Sequence, residues 1–592
     1  MKIHHKTAPA RYSQTLLEKN CWLFLWGIGL LAFFTALALW RYDYTDALQQ
    51  VITSYNISNK AELLRTKYFT PVIYHTLRGL FQSLCLVYLL VLLAVYRQRL
   101  RLYRYIYRQA RYIRLYYYHY LSKYFVISKR AWFLFCSVCF LFILMRIYHY
   151  SIYKIRVDEA FTFIYIVKKG FLSCLFYYPG PNNHILWSIF IFLFYKIGFN
   201  PILSLKIPCI LTEILTLFII FLFYNYNKKH KEFLIFIVLF YSSSFINHYY
   251  TQSRAYIALN LLFIIQLFFA NLIIKNKLKL NILLFSIFSF IGFYLVPTYL
   301  IYYLILFLYI FSINKKIILN KSILLNIFIN LLLVIILIYI PIILFNGIDD
   351  LIFNRHIISK DVHSKNYLIN RIYNFLNLYK INLFSSDKTI LILSLDSLFL
   401  IFLVYKNKLF KNLVLIFILY FFVLFMFYVF LGLNIPYRSI LVVIFFYSYL
   451  LSEIVIYFFN IIFNKILIKN IFLYLLIIFW FLFFNIYEMY KYSISKDIYN
   501  SVYKTNYIIK NKKYKKICIL EGTYQVLFKF SCIDKPDYEI LDTHASESFE
   551  KYDVLVLPLA MRQRQHEKLK RAKLNFWFED GFVEVYRRNG LE

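Results

Sequence analysis

The chain has 592 residues, of which 61% are hydrophobic and 22% aromatic. That is more apolar surface than a soluble globule can hide, so the chain belongs in a bilayer. Lys and Arg outnumber Asp and Glu by 67 to 29, a formal charge of +38, but they lie in short clusters between apolar runs rather than on one soluble face. This excludes a nucleic-acid partner and reads as topology signals and contacts to anionic membrane lipids.

In chain order, the basic start Met1 to Arg11 precedes the apolar run Cys21 to Trp40. It reads as an uncleaved signal anchor, with Ala36-Leu-Ala38 as the competing cleavage site. Further apolar runs fall near 76–96, 131–150, 203–225, 232–246, 256–275, 281–295, 299–312, 323–345, 389–405, 412–431, 438–458 and 470–487. Against the span requirement of about 20 residues, these make about 13 transmembrane helices. Arg97 to Arg130, dense in Arg and Tyr, reads equally as a membrane-surface helix on anionic headgroups and as a helical extension between spans. With the amino terminus inside, the basic connectors at 97–130, 227–231, 275–279, 314–316, 406–411 and 464–469 all fall on the cytoplasmic side. This works only if Ile185 to Phe199 lies along the interface instead of crossing. Residues 1–130 then form an appended two-span module with a basic cytoplasmic segment, 131–490 a transmembrane domain, and 491–592 a small extracytoplasmic α/β domain.

In that tail, Lys516 to Leu520 and Tyr552 to Pro558 suit buried strands, Met561 to Lys573 a charged helix, and Asn575 to Tyr586 a closing hairpin turning at Asp580-Gly581. Cys518 and Cys532 could form a disulfide if the tail is extracytoplasmic. Cys136 and Cys139 lie inside an apolar helix and read as packing residues.

The expected outer face receives the loop with Asp158 and Glu159, His248 to Arg254, Val296 to Tyr299, Asn346 to Lys388, Gly432 to Arg438 and everything after Glu488. Asp158 and Glu159 are neighbours, so in a helix they point about 100° apart, one toward an acceptor hydroxyl and one toward a cation or structural partner. A solvated acidic loop end is the plainer reading. Pro179-Gly-Pro181 forces a turn, after which Asn182-Asn-His184 opens an apolar helix whose amino terminus attracts anions. His184 there could bind a phosphate, share a divalent metal ion with Asp158, or merely sit at the water line beside a capping asparagine. Arg254 and Arg438 begin apolar spans at the outer face, where a guanidinium matches a lipid phosphate and where anchoring arginines are not expected. Glu213 and Glu453 lie within spans and are left outside the site, since bonding to a neighbouring helix explains either. Asp349-Asp350 reads as a solvated loop or a second acidic contact.

Together these pieces resemble the C-class membrane glycosyltransferases (the GT-C fold), in particular the branch of protein O-mannosyltransferases and lipid A aminoarabinose transferases. The likeness covers 131–490. It rests on Asp158-Glu159 after a span, the proline turn with His184, Leu205-Lys-Ile-Pro208, Gln252-Ser-Arg-Ala-Tyr256, Gly292-Phe-Tyr-Leu-Val-Pro297 and Pro436-Tyr-Arg438. The resemblance implies a polytopic enzyme of the inner (plasma) membrane with its active site on the extracytoplasmic face, the side on which the charge pattern also places the C-terminus. It implies inverting transfer of a sugar from a polyprenyl-phosphate donor to a glycan, lipid or protein. Carried over by position, Asp158 and Glu159 are the catalytic carboxylates, Arg254, Arg438 and His184 hold the donor phosphate, and Asp158 with His184 would hold any divalent metal ion. The alternatives are a transporter or flippase, or a ligase, of cell-envelope polysaccharide. Transporters favour internal repeats and mid-membrane charges, and no repeat is visible here.

Overall fold

The structure is a computed structural model and describes residues 43–55, 70–96, 126–176, 184–313 with short breaks, 369–372, 408–430, 441–462 and most of 498–588, with a few positions in 62–66. The chain divides into two compact units, Met1–Val126 with Ile342–Gly347, and Ile127–Pro341 with Ile348–Glu592.

The first unit contains helices α1 (Tyr44–Tyr55) and α2 (Pro71–Tyr96). Asp43 accepts the Tyr44 N–H at 2.6 Å and Thr70 Oγ1 accepts the Ile73 N–H at 3.3 Å, so each helix begins on a short polar side chain that uses donors no helical carbonyl can reach. Tyr74 packs on Tyr44 with ring centroids 6.0 Å apart, and Arg78 stands over the Tyr74 ring at 5.6 Å.

Among its described residues up to 510, the second unit is helical. Its elements are α3 (Lys129–Ile152), α4 (Val157–Phe161) running into a π-helical turn (Thr162–Val167), α5 (Phe171–Phe176), α6 (Ile185–Lys196), α7 (Pro201–Tyr226), α8 (His230–Tyr241), α9 (Ser244–Thr251), α10 (Tyr256–Asn276), α11 (Lys279–Leu295), α12 (Tyr299–Ile313), α13 (Lys408–Phe425), α14 (Leu441–Ile462) and α15 (Ile498–Lys510). Among the described residues, three helices are long and apolar enough to cross a membrane: Lys129–Ile152, Pro201–Tyr226 and Tyr256–Ile274. The α6 helix has 12 residues, or about 18 Å of rise, short of the roughly 30 Å hydrocarbon core. The expected spans at 22–40, 323–345, 389–405 and 470–487 lie outside the described residues.

Polarity is inverted along the spans. Leu141, Leu144 and Ile147 of α3 and Leu211 and Leu215 of α7 are exposed, while Arg146, His149 and Glu213 are buried. Each helix thus turns its ionisable groups toward its neighbours, where partners can satisfy them. Arg146 forks onto Glu213 with Nε–Oε2 at 2.9 Å and Nη2–Oε1 at 2.7 Å, and Nη1 donates to Asn247 Oδ1 at 3.1 Å and His149 Nδ1 at 2.9 Å. At the far end of α7, Lys229 pairs with Glu453 of α14 at 2.5 Å. Both acids within apolar helices are therefore paired with cations from other elements. Cys136 is exposed rather than packed in a core, which places its small apolar thiol outward on α3.

The α11–α12 turn depends on Gly292. A Cβ there would overlap the ring of Tyr299, and the Tyr299 hydroxyl uses this close approach to donate to Gln266 Oε1 on α10. Gln266 Nε2 is satisfied in turn by the Phe285 carbonyl at 2.9 Å and by Ser289.

The tail carries a five-stranded sheet in the order β2-β1-β3-β5-β4, built from β1 (Lys516–Ile519), β2 (Glu539–Leu541), β3 (Val554–Pro558), β4 (Leu574–Glu579) and β5 (Val583–Arg588), with α16 (Gly522–Ser531) connecting β1 to β2. β1 pairs in parallel with both β2 and β3, whereas β3–β5 and β4–β5 are antiparallel. Strands β1 and β3 and the closing hairpin follow the expectation, and β2 and α16 are additions to it. The expected turn at Asp580-Gly581 and most of the expected helix Met561 to Lys573 lie outside the described residues. Cys518 and Cys532 are both buried thiols with no bridge between them. This corrects the disulfide option: Cys518 is a core residue of β1, and Cys532 follows α16.

Candidate active site

The site grows from a helix too short to stand alone. Arg156 takes an extended conformation (φ −87°, ψ 160°) ahead of α4, and its backbone N–H is accepted by Glu159 Oε2 at 2.9 Å. A carboxylate three residues into a helix reaching back to the residue before it fixes the first turn. The 100° between successive helical residues then separates the two acids. Glu159 is 1% exposed, whereas the Asp158 side chain is 39% exposed.

Glu159 clamps. Its Oε1 accepts from Lys206 Nζ and from the backbone N–H of Ser253, both at 2.6 Å, and Lys206 also donates to the Thr251 carbonyl at 2.6 Å. These bonds answer a need created elsewhere in the chain. Ser243 Oγ starts α9 by accepting from Ile246 N at 3.5 Å, and the helical path breaks at Gln252 (φ −80°, ψ 134°) before resuming at Tyr256. Such a break leaves backbone groups that lipid cannot satisfy. Lys206 takes the carbonyl before the break and Glu159 the N–H after it. Lys206 is held by its own helix start, where Asn200 Oδ1 accepts from Leu203 N at 2.8 Å and Pro201 occupies a first-turn position that needs no N–H.

The break presents Arg254. Its guanidinium is 1% exposed as a residue and forms an ion pair from Nη1 to Asp158 Oδ2. Arg254 Nε donates to His184 Nε2 at 3.1 Å. Since Arg254 is always a donor, His184 is the acceptor, which makes it a neutral imidazole with its proton on Nδ1. Tyr256 braces both, its ring 5.1 Å from the His184 ring at 79° and 5.7 Å from Arg254 Cζ. Trp187 Nε1 donates to Ser253 Oγ at 3.4 Å, and that hydroxyl donates to the Leu205 carbonyl at 2.6 Å. A buried cation is thus covered on one side by a half-exposed carboxylate and steadied on the other by a histidine.

Asp158, Glu159, His184 and Arg254 come together at the Lys206 end of α7. Arg438 and Asp349-Asp350 lie outside the described residues. For a divalent metal ion, the Asp158–His184 pair does not fit as arranged. The Arg254 guanidinium bonds to both, His184 Nε2 spends its lone pair on Arg254 Nε, and no group of three or more His, Cys, Asp or Glu among the described residues could hold a metal.

Sequence reasoning left out Lys206 as an active partner, though it was quoted within Leu205-Lys-Ile-Pro208. Its signal was a lysine near the start of an apolar run, away from the basic connectors. Also unforeseen is the seat of the tail. Tyr503 donates its hydroxyl proton to the Ile155 carbonyl at 3.3 Å, just ahead of α4. Beyond α4, Lys529 Nζ donates to the Tyr165 hydroxyl at 3.3 Å, and Phe530 meets Phe163 edge-on with centroids 5.8 Å apart. The turn carrying Asp158 is therefore gripped by the helical bundle on one side and by the tail on the other.

No protein-family model and no curated protein matches the sequence. Among solved structures, the chain is similar to the crystal structure of ArnT from Cupriavidus metallidurans bound to undecaprenyl phosphate, with a TM-score of 0.48 and 10% identity, covering 78% of this chain and 98% of that one. That likeness assigns no role to any residue here.

Proposed function

We propose that this chain is a membrane glycosyltransferase that moves a sugar from a polyprenyl-phosphate donor to an acceptor at the extracytoplasmic face, with inversion at the anomeric carbon. One observation carries the reading: a half-exposed carboxylate, Asp158, lies against a buried guanidinium, Arg254, at the end of apolar helices. A donor with an isoprenoid tail cannot leave the bilayer. Its transferase must offer a base and a phosphate-binding cation at headgroup depth.

In the proposed reaction the acceptor hydroxyl oxygen bonds to the anomeric carbon, and the bond from that carbon to the phosphate oxygen breaks. The electron pair leaves with the polyprenyl phosphate, and the acceptor proton passes to Asp158. Arg254 meets the charge gathering on the departing phosphate, a preorganised interaction worth most where water is scarce. His184 orients the Arg254 guanidinium, and Glu159 holds the turn through Lys206. Arg438 is a second phosphate ligand in this reading, and anionic lipids surround the basic connectors. The sugar is a hexose or pentose and the acceptor a glycan, lipid or protein of the envelope. No step is assigned to a metal ion.

The test is Asp158→Asn in cells whose own copy is deleted, read by mass analysis of envelope glycans, lipids and glycoproteins. The expected result is the same missing sugar as in the deletion, with the variant accumulating in the membrane as the unaltered protein does. Unchanged envelope masses would reject the assignment of Asp158 as base.

A further inference from the structure

In a displacement with inversion, nucleophile and leaving oxygen stand on opposite sides of the anomeric carbon. The base that serves one and the cation that serves the other are then separated by the sugar itself. In the structure Asp158 and Arg254 are in direct contact, so the two cannot stay as they are while a sugar lies between them.

We propose that Asp158 has a second role, as an anionic latch on the phosphate site: it occupies Arg254 until the donor phosphate displaces it. The inference rests on the glycosyltransferase reading above. Three observations support it. Arg254 is buried while Asp158 is half-exposed, so the carboxylate is the movable, water-facing member of the pair. Arg254 itself is fixed, its Nε bonded to His184 at 3.1 Å and its cation set beside the Tyr256 ring at 5.7 Å. Asp158 stands on a turn whose neighbouring acid is locked by three bonds of 2.6 to 2.9 Å, so its side chain can swing without unseating the turn.

Charge conservation then orders the events. A phosphodiester donor brings one negative charge to Arg254 and displaces one carboxylate. The displaced Asp158 is released from its cation at the moment when the acceptor hydroxyl needs a base. Donor binding therefore switches the base on, and an acceptor arriving first meets a carboxylate engaged with Arg254. After transfer, Asp158 carries the acceptor proton, and its return to Arg254 on losing that proton helps to expel the polyprenyl phosphate.

The latch makes a prediction of unusual sign: removing the base should tighten the lipid. Undecaprenyl phosphate would be titrated into the full-length protein in nanodiscs, comparing the unaltered chain with Asp158→Asn, Asp158→Ala and Arg254→Ala, each checked for its thermal transition. The two Asp158 variants should bind on the order of tenfold more tightly, the ratio that corresponds to about 1.4 kcal/mol, and Arg254→Ala should bind at least as much more weakly. Equal or weaker binding by both folded Asp158 variants, with the loss at Arg254→Ala intact, would overturn the latch and leave the phosphate site standing. Unchanged binding by Arg254→Ala would remove the phosphate site and the latch with it. Two carboxylate variants are used so that a folding defect in one does not decide the outcome.

Discussion

At the scale of single residues, adjacent acids of identical local sequence acquire opposite duties from their position on one helical turn. Glu159 and Lys206 are 1% and 5% exposed at the side chain and 2.6 Å apart, and truncating one member of a buried pair costs about 3–5 kcal/mol. Lys206→Ala should therefore lower the thermal transition of the purified protein markedly, while Lys206→Arg, which keeps a cation of similar reach, should recover much of it. A Lys206→Ala variant melting like the parent would show that the clamp is dispensable. Cys174 gives an independent reading of how dry this region is. Its thiol is fully buried, and burial pushes its pKa up to about 12. It should resist maleimide at neutral pH in the folded protein and react once the chain is denatured. Prompt labelling of Cys174 in the native state would show water reaching the loop. In the sequence the Asp158-Glu159 pair was visible and its division of labour followed from helical geometry. Which acid turned inward was not visible, because that is set by Lys206 and Ser253, 47 and 94 residues away.

At the scale of elements, helix ends were legible where short-range chemistry sets them. The apolar run at 203–225 became Pro201–Tyr226 because Asn200 caps and Pro201 opens it. The break before Tyr256 was legible, since one apolar run ends at 246 and the next opens at 256, but the short helix α9 (Ser244–Thr251) inside that connector was not, and neither was its repair by Glu159 and Lys206 arriving from elsewhere. Strand β2 is three residues long, too short to show any alternation, and α16 is ten residues of mixed apolar and polar character, without a spanning length. Their packing gives the tail a purpose near the site. Phe530→Ala, which removes the edge-on contact with Phe163, should increase hydrogen exchange in the amides of 157–167 in the full-length protein, with little change in the sheet. Protection unaltered in that segment would mean the bundle alone holds the turn.

At the scale of the whole molecule, α7 is a post with an ion pair at each end and one between. Lys206 stands near its start, Glu213 two turns on, and Lys229 just past its end. The central Arg146–Glu213 pair is fully buried on both sides. Such a pair is costly to break but not costly to replace as a unit. Glu213→Ala should reduce the amount of folded protein in the membrane, and Arg146→Met combined with Glu213→Leu should restore much of it. If the double variant fared no better than the single one, the pair would have a role beyond joining α3 to α7. The same closed geometry bears on the transport alternative: both charges are matched by each other, and neither is exposed to solvent.

Composition alone placed this chain in a bilayer, and the spacing of its apolar runs located most of the described helices to within a few residues, because burial in lipid acts on local stretches of sequence. The sequence also marked the loop with Asp158 and the segment with Arg254 as belonging to one face, since charge clusters report sidedness. Only the tertiary structure decided that the two touch, that Glu159 is a clamp, that Lys206 repairs a broken helix, and that the tail seats on the acidic turn. Each of those is a contact between residues distant in the chain, fixed by the satisfaction of buried charge and of interrupted backbone, and neither leaves a periodic trace in the sequence.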